Sequence, residues 1–254
     1  MGQVRELGPK VCPGCQEEQE RRVAEEEKAR LDLDRARLRG RWRNSCGIPP
    51  RFQAKVFENF ERRLQPKAFD AARKFAEEFP LEGSTGSPSL VLYSLPPGYG
   101  QGKTHLACAV CHRIIDRWQG DPEDAVCPVL FVTETDLLLR IRATYHLREL
   151  EREWHEREEE VYAELKSKML LILDDVGKEQ PADPRFMQRV YFHVLDGRYQ
   201  RGLPILMTSN LGIDDLEVHM GAAVVDRLVE MTGGKIVQLK GESYRRRKGD
   251  SGKS

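Results

Sequence analysis

Eight consecutive residues, Pro97-Gly98-Tyr99-Gly100-Gln101-Gly102-Lys103-Thr104, bring together glycines, a lysine and a hydroxyl. Glycine lets backbone N–H groups curl around the oxygens of an anion. A helix starting directly afterwards adds a favourable field at its N-terminus. In that setting Lys103 would reach the β and γ phosphates of a nucleoside triphosphate, and Thr104 would place its hydroxyl on Mg²⁺. The nucleotide-binding set read from the segment is Gly98, Tyr99, Gly100, Gln101, Gly102, Lys103, Thr104 and His105. Pro97 stands where a phosphate loop usually has its first glycine, which leaves Gly98 to take over the turn. Tyr93, at the end of the preceding apolar run, is also further from Lys103 than that pattern leads one to expect. The alternative is a structural Gly-rich turn carrying a chance Gly-Lys-Thr.

Two further segments argue for the catalytic alternative. Met169-Leu170-Leu171-Ile172-Leu173-Asp174-Asp175 reads as a buried strand that ends in two carboxylates. A strand of this kind delivers its acids to the carboxyl edge of a sheet, where ligands bind. Asp174 would hold Mg²⁺ through water, and Asp175 would orient or polarise the attacking water. Ile205-Leu206-Met207-Thr208-Ser209-Asn210 is a second buried run ending in polar residues. Asn210 suits a sensor of the water or the γ-phosphate, although an Asn before Leu211-Gly212 is by itself an ordinary turn residue. The order of the three motifs favours the sensor.

These residues need a scaffold. Apolar runs at Leu90–Tyr93, Val129–Val132, Met169–Leu173, Ile205–Met207 and Ile236–Leu239 alternate with helical stretches. Such alternation predicts an α/β fold with a five-stranded parallel sheet and helices on both faces. Helices are expected over Lys67–Phe79, His105–Trp118 and Asp136–Tyr145, and one long charged helix over Thr144–Lys168. Leu147, Leu150, Trp154, Val161 and Leu165 would form its packing stripe. Three zones follow: 1–46, a charged and mostly helical region with few large apolar residues; 47–244, the α/β domain; and 245–254, a basic then Gly/Ser-rich tail expected to be disordered. The first zone makes a marginal helix that needs a partner surface.

The chain of 254 residues balances 41 Lys+Arg against 41 Asp+Glu, so any contact with nucleic acid must come from a local patch. Met1 to Lys10 contains no apolar stretch of the secretory type, and no run approaches membrane-spanning length, so a cytoplasmic protein is expected. The six cysteines then read as thiols or ligands. Cys12-x-x-Cys15 resembles half of a zinc site, with Cys46 as a possible third ligand and no evident fourth. Cys108 and Cys111 share the spacing but fall inside the helix after the phosphate loop, as small core residues.

In the order and content of its motifs the sequence resembles the DnaC-type bacterial helicase loaders and, more distantly, the IstB-type transposition helper ATPases, both of the AAA+ superfamily. Beyond the three motifs, the resemblance rests on Gly47-Ile48-Pro49-Pro50-Arg51-Phe52, Phe57-Glu58-Asn59-Phe60, Arg198-Tyr199, Asp226-Arg227-Leu228 and Ser243-Tyr244-Arg245, and it covers Gly47 to about Arg246. It implies an AAA+ P-loop ATPase without a C-terminal lid, using ATP and Mg²⁺. Asp175 stands where many such proteins have Glu, one methylene longer, which suits slow turnover. The resemblance also implies that Arg227 is an arginine finger acting on a neighbouring subunit's γ-phosphate, which makes the active form a homo-oligomer assembled with ATP. Phe57–Phe60 would lie near the adenine.

Arg140, Arg142 and Tyr145 would face single-stranded DNA, with a plain solvated helix face as the alternative; Arg245, Arg246, Arg247 and Lys248 are a weaker candidate for DNA contact. The partner implied for the N-terminal zone is the replicative helicase. A transposition helper that binds duplex DNA and a transposase remains the first alternative. A non-hydrolysing adaptor with a degenerate phosphate loop remains the second.

Overall fold

A computed structural model describes residues 12–96, 99–145, 157–179 and 184–244. Five strands, β1 (Leu90–Tyr93), β2 (Val129–Thr133), β3 (Leu170–Val176), β4 (Ile205–Ser209) and β5 (Ile236–Gln238), form one sheet in the order β2-β3-β4-β1-β5. Every pairing is parallel. The helices are α1 (Pro13–Ser45), α2 (Pro66–Glu78), α3 (Lys103–Arg117), α4 (Glu134–Tyr145), α5 (Glu158–Ser167), α6 (Pro184–Tyr199), α7 (Ile213–Met220) and α8 (Ala222–Thr232). Successive strand residues point to opposite faces, and the core divides accordingly. Leu90, Leu92, Leu170, Ile172 and Leu206 pack with α2 and α3, whereas Val91, Leu171, Leu173, Ile205 and Met207 pack with α4 to α8. Both faces are thus covered, as a parallel sheet requires.

One sequence expectation holds and another needs correcting. β3 carries Asp174 and Asp175 at its carboxyl end, as expected, and the register against β4 shifts between Leu173 and Val176. Three steps along β3, from Leu173 to Val176, face two along β4, from Met207 to Ser209. This bulge re-aims the residues between. Thr144–Lys168 is not one helix: α4 is described to Tyr145, Arg157 is extended (φ -88, ψ 152) as the N-cap of α5, and Lys168 is its C-cap. Leu147, Leu150 and Trp154 lie outside the described residues, while Val161 and Leu165 are buried as a packing stripe demands.

Residues Gly14–Arg30 of α1 are exposed, which suits their charge. Leu38, Trp42 and Cys46, spaced four apart, then turn a stripe onto α3 and the sheet. Trp42 packs edge-on against Trp118 with ring centres 4.7 Å apart. Arg43 pairs with Asp116, and Arg39 donates to the Trp118 carbonyl at 2.9 Å. Past the helix, Phe131 N donates to Cys46 O at 2.7 Å, tying the chain to the edge of β2. Gly47 makes that crossing with φ +98, and a Cβ there would sit 2.0 Å from Phe131 O, so only glycine fits.

Candidate nucleotide-binding site

The chain leaves β1 at Tyr93 and re-enters helix at Lys103. Pro97 and Gly98 lie outside the described residues, so the substituted first position of the loop does too. Gly100 (φ +78) and Gly102 (φ +98) take left-handed conformations. At Gly102 a Cβ would meet the Phe60 ring at 2.7 Å, so this turn is closed to other residues from two directions. Gly102 caps α3, whose first amides open into a cleft of about 560 Å³ lined by Tyr99 to His105, Asp175, Lys178, Asn210 and Tyr244.

The polar groups meet at one end of the cleft. Lys103 is buried, and its Nζ donates to Ser94 Oγ at 2.5 Å and to Asn210 Oδ1 at 2.8 Å. The other side of the same amide continues the chain: Asn210 Nδ2 donates to Asp175 Oδ1 at 3.1 Å. Asp175 sits in the bulge with φ +61, a left-handed conformation costing an L-residue on the order of 1 kcal/mol. Its amide donates to Thr208 Oγ1 at 2.9 Å, and that hydroxyl donates in turn to Asp174 Oδ1 at 2.6 Å. One buried hydroxyl therefore fixes both acids.

Asp174 is almost wholly buried, and that burial pushes its carboxyl up to about 6; Thr208, Thr104 and Lys103 pull the other way, and neighbouring Asp175 adds to the rise. The Thr104 hydroxyl bonds the same carboxylate. A hydroxyl and a carboxylate side by side are hard oxygen donors of the kind Mg²⁺ takes together with substrate phosphates and water. Among the described residues no cluster of three or more His, Cys, Asp or Glu is arranged to hold a metal by itself. A Mg²⁺ bound at Thr104 and Asp174 would therefore need the phosphates to complete it.

His105 turns away from the phosphate end. Its Nε2 lies 2.9 Å from Val56 O and 2.8 Å from Asn59 Oδ1; both are oxygens, so this nitrogen carries the proton. Its ring meets Phe60 edge-on at 5.0 Å. The Phe57–Phe60 segment is thereby fastened to the first turn of α3. A C-terminal strap closes the same side: Tyr244 N donates to Gly100 O at 3.0 Å, Gln101 Nε2 to Gly241 O at 2.6 Å, and Gln65 Nε2 to Lys240 O at 2.6 Å.

Not every expected residue joins this cleft. Arg227, on α8, does not line it. Its Nε lies 3.2 Å from Asp196 Oδ1, and its guanidinium lies 5.5 Å from the Phe192 ring centre and 5.8 Å from that of Tyr199. Arg140 pairs with Glu164 at 2.6 Å, Arg142 lies over Phe186 at 5.0 Å, and Tyr145 donates to Glu158 at 3.0 Å. All three are engaged by α5 or α6. Cys46 cannot complete a zinc site with Cys12 and Cys15. They occupy opposite ends of α1, and Cys46 is buried about 46 Å from Cys15 at the usual helical rise. Cys12 instead accepts the Cys15 amide at 3.3 Å, capping α1. Cys108 and Cys111 are buried core residues. The basic run Arg245–Lys248 is outside the described residues.

Several residues at the site escaped the sequence reading. Ser94 and Thr208 hold Lys103 and the acids, but a Ser or Thr beside a buried strand carries no distinctive pattern. Lys178 lines the cleft 3.7 Å from Asp175, and its place three residues after that acid was the available signal. Arg51, Phe52 and Lys55 also line it, and they fall within or next to a segment quoted above for its resemblance alone.

The chain is similar to known proteins in sequence and in fold. Over 206 residues the chain is 27% identical to the replicative helicase loader DnaC of Escherichia coli, covering 80% of this chain and 74% of that protein. The fold is similar to the crystal structure of the DnaC helicase loader, with a TM-score of 0.57 at 21% identity, over 76% of this chain and 100% of that one. The crystal structure of DnaI gives the same TM-score of 0.57 at 19% identity, over 77% of this chain and 93% of that one. Residues 27–251 match the family described as IstB-like ATP binding protein. With the phosphate loop, the paired acids and the strand-end Asn converging on one cleft, the chain belongs to the IstB-like ATP binding protein family, of the AAA+ class.

Proposed function

We propose that the chain is an ATPase switch that loads a replicative DNA helicase onto single-stranded DNA at the start of replication. The observation that carries the ATPase part is the continuous path from Lys103 through Asn210 to Asp175. It joins a phosphate-binding cation, a sensor and a candidate for polarising water at one end of one cleft. The helicase part is supported by the 27% identity to a replicative helicase loader across most of both chains.

In this reading the N–H groups of Gly100 to Thr104 cradle the phosphates, in the field of α3. Lys103 leaves Ser94 and Asn210 for the β and γ phosphates. Thr104 and Asp174 would hold Mg²⁺, which neutralises phosphate charge when bound. Asp175 orients the attacking water, and Asn210, released by Lys103, bonds that water or the γ-phosphate. Arg227 serves the cleft of the next subunit, where a guanidinium offsets developing charge. Assembly of such subunits grips single-stranded DNA, and the exposed half of α1 docks on the helicase, in the cytoplasm.

A second and less supported reading is a transposition helper that binds duplex DNA and a transposase, motivated by the IstB-like name of the family. Incubation of the full chain with the purified replicative helicase of its source cell, ATP and Mg²⁺ separates the two. A stable complex on single-stranded DNA that fails to form with Lys103→Ala is expected. No helicase complex, with ATP-dependent binding to duplex DNA instead, would move the assignment to the transposition helper. Absence of ATP binding would leave only a nucleotide-free adaptor. Mixing Lys103→Ala with Arg227→Ala subunits tests the shared site, since each variant retains the half that the other lacks and the mixture should regain turnover.

A further inference from the structure

Glu134 opens α4 directly after β2, and its side chain is fully buried. An ionised carboxylate is costly to bury unless it is paired and hydrogen-bonded. Here five donors converge on it. Its Oε2 accepts the amides of Gly177 at 3.1 Å, Lys178 at 2.9 Å and Glu179 at 2.9 Å, consecutive N–H groups wrapped round one oxygen. Its Oε1 takes Tyr191 Oη from α6 and His219 Nε2 from α7, both at 2.5 Å.

The turn held this way follows β3 immediately, with Val176 alone between it and the acids. It carries Lys178, whose ammonium lines the nucleotide cleft 3.7 Å from Asp175. The Lys178 side chain is 62% exposed, so placing its ammonium in the cleft does not by itself call for a buried charge beneath the turn. The carboxylate is spent instead on fixing one conformation, and Thr135 ties the same turn to α4 by donating to Glu179 Oε1 at 2.6 Å.

We propose that Glu134 is a positioning residue for ATP hydrolysis: it fixes the turn of residues 177–179 so that Lys178 and Asp175 present their charged ends to the terminal-phosphate end of the cleft. This rests on the ATPase reading above. Glu134 touches no substrate; it acts through the turn. Lys178 is then an additional cleft residue, placed to meet the phosphate or the water that Asp175 orients.

The test uses Glu134→Gln, which keeps the shape but turns an amide donor towards donors, and Lys178→Met on the exposed side chain. Both are read in the full chain by titration with a fluorescent ATP analogue and by single-turnover phosphate release. Each variant is expected to slow turnover tenfold or more, with nucleotide affinity within threefold of the unaltered chain. The double variant should be no slower than the slower single one, because both act through one turn. A merely structural role would weaken binding and turnover together, or lower only the melting temperature. Turnover within twofold in a folded Glu134→Gln variant, or additive losses in the double variant, overturns the proposal. Should Glu134→Gln not fold, Tyr191→Phe and His219→Leu, each removing one donor, are judged by the same split between turnover and affinity. An unaltered chain that turns over no ATP would overturn the ATPase reading and this proposal with it. An active chain indifferent to Glu134 overturns this proposal alone.

Discussion

The ammonium of Lys103 donates to the side-chain oxygen of Asn210 at 2.8 Å, joining the start of α3 to the end of β4 across the cleft. The lysine thus occupies the residue proposed as the sensor, and in that reading a phosphate draws it away. Lys103→Ala should weaken ATP-analogue binding by about 10- to 100-fold, the worth of one or two charge-assisted bonds. Asn210→Ala should leave affinity within severalfold and lower single-turnover hydrolysis by roughly 100-fold, as expected for a donor that acts in the transition state. Equal losses of binding in the two variants would refute this division of labour.

Thr208 makes a second prediction. Its hydroxyl spans the Asp174 carboxylate and the Asp175 amide. Thr208→Val keeps the shape and strands both partners, at a cost of about 1–3 kcal/mol in urea unfolding. Turnover should fall with it, because Asp175 loses the bond that holds its left-handed backbone. An unchanged urea midpoint would show that the two groups find other partners.

The docking of α1 is testable through Trp42. The side chain is buried against Trp118, and Trp42→Ala should cost about 3–5 kcal/mol if the site cannot collapse. Emission from Trp118 should move to the red as its ring is uncovered. Stability within 1 kcal/mol of the unaltered chain (roughly the scale of a surface change) with unshifted emission would mean that this contact contributes little.

Glu134 predicts the shape of the acid limb of stability. Burial alone would raise its carboxyl, but the His219 partner, the Glu179 amide and the Tyr191 hydroxyl outweigh that and hold it below its usual 4.5. A depressed folded value means that the unfolded chain binds the proton more readily. The contribution is complete above about 4.5 and is lost as pH falls through the lower folded value. Glu134→Gln should flatten this part of the stability–pH curve. A curve of unchanged slope would place the acid sensitivity in other carboxylates.

The features legible in the sequence are those written locally. Gly100 to Thr104 are contiguous, and their chemistry needs only the strand before and the helix after. The five apolar runs announced five parallel strands because burial on both faces demands unbroken apolar stretches. Asp174, Asp175, Thr208 and Ser209 extend two of those strands past their apolar stretches, as the motif readings expect. Glu134 was invisible for a different reason. Its donors come from the turn of residues 177–179 and from Tyr191 and His219, separated by 43 to 85 residues, and no spacing in a single sequence encodes such convergence. Cys46 failed as a zinc candidate because proximity along a chain is lost when the intervening residues form a straight helix.

That helix has a mechanical consequence. Only its last turns are fastened, through Trp42, Arg43 and the Cys46 carbonyl bonded to the edge of β2. About 27 Å of rod, from Gly14 to about Leu31, extends beyond the fastening, so a tilt of ~5° at the root swings the tip by ~2 Å. β2 is hydrogen-bonded to β3, and β3 carries Asp174 and Asp175. A load applied at the tip is therefore delivered to the strand next to the acids, which makes α1 a lever with its fulcrum on the sheet that carries both of them.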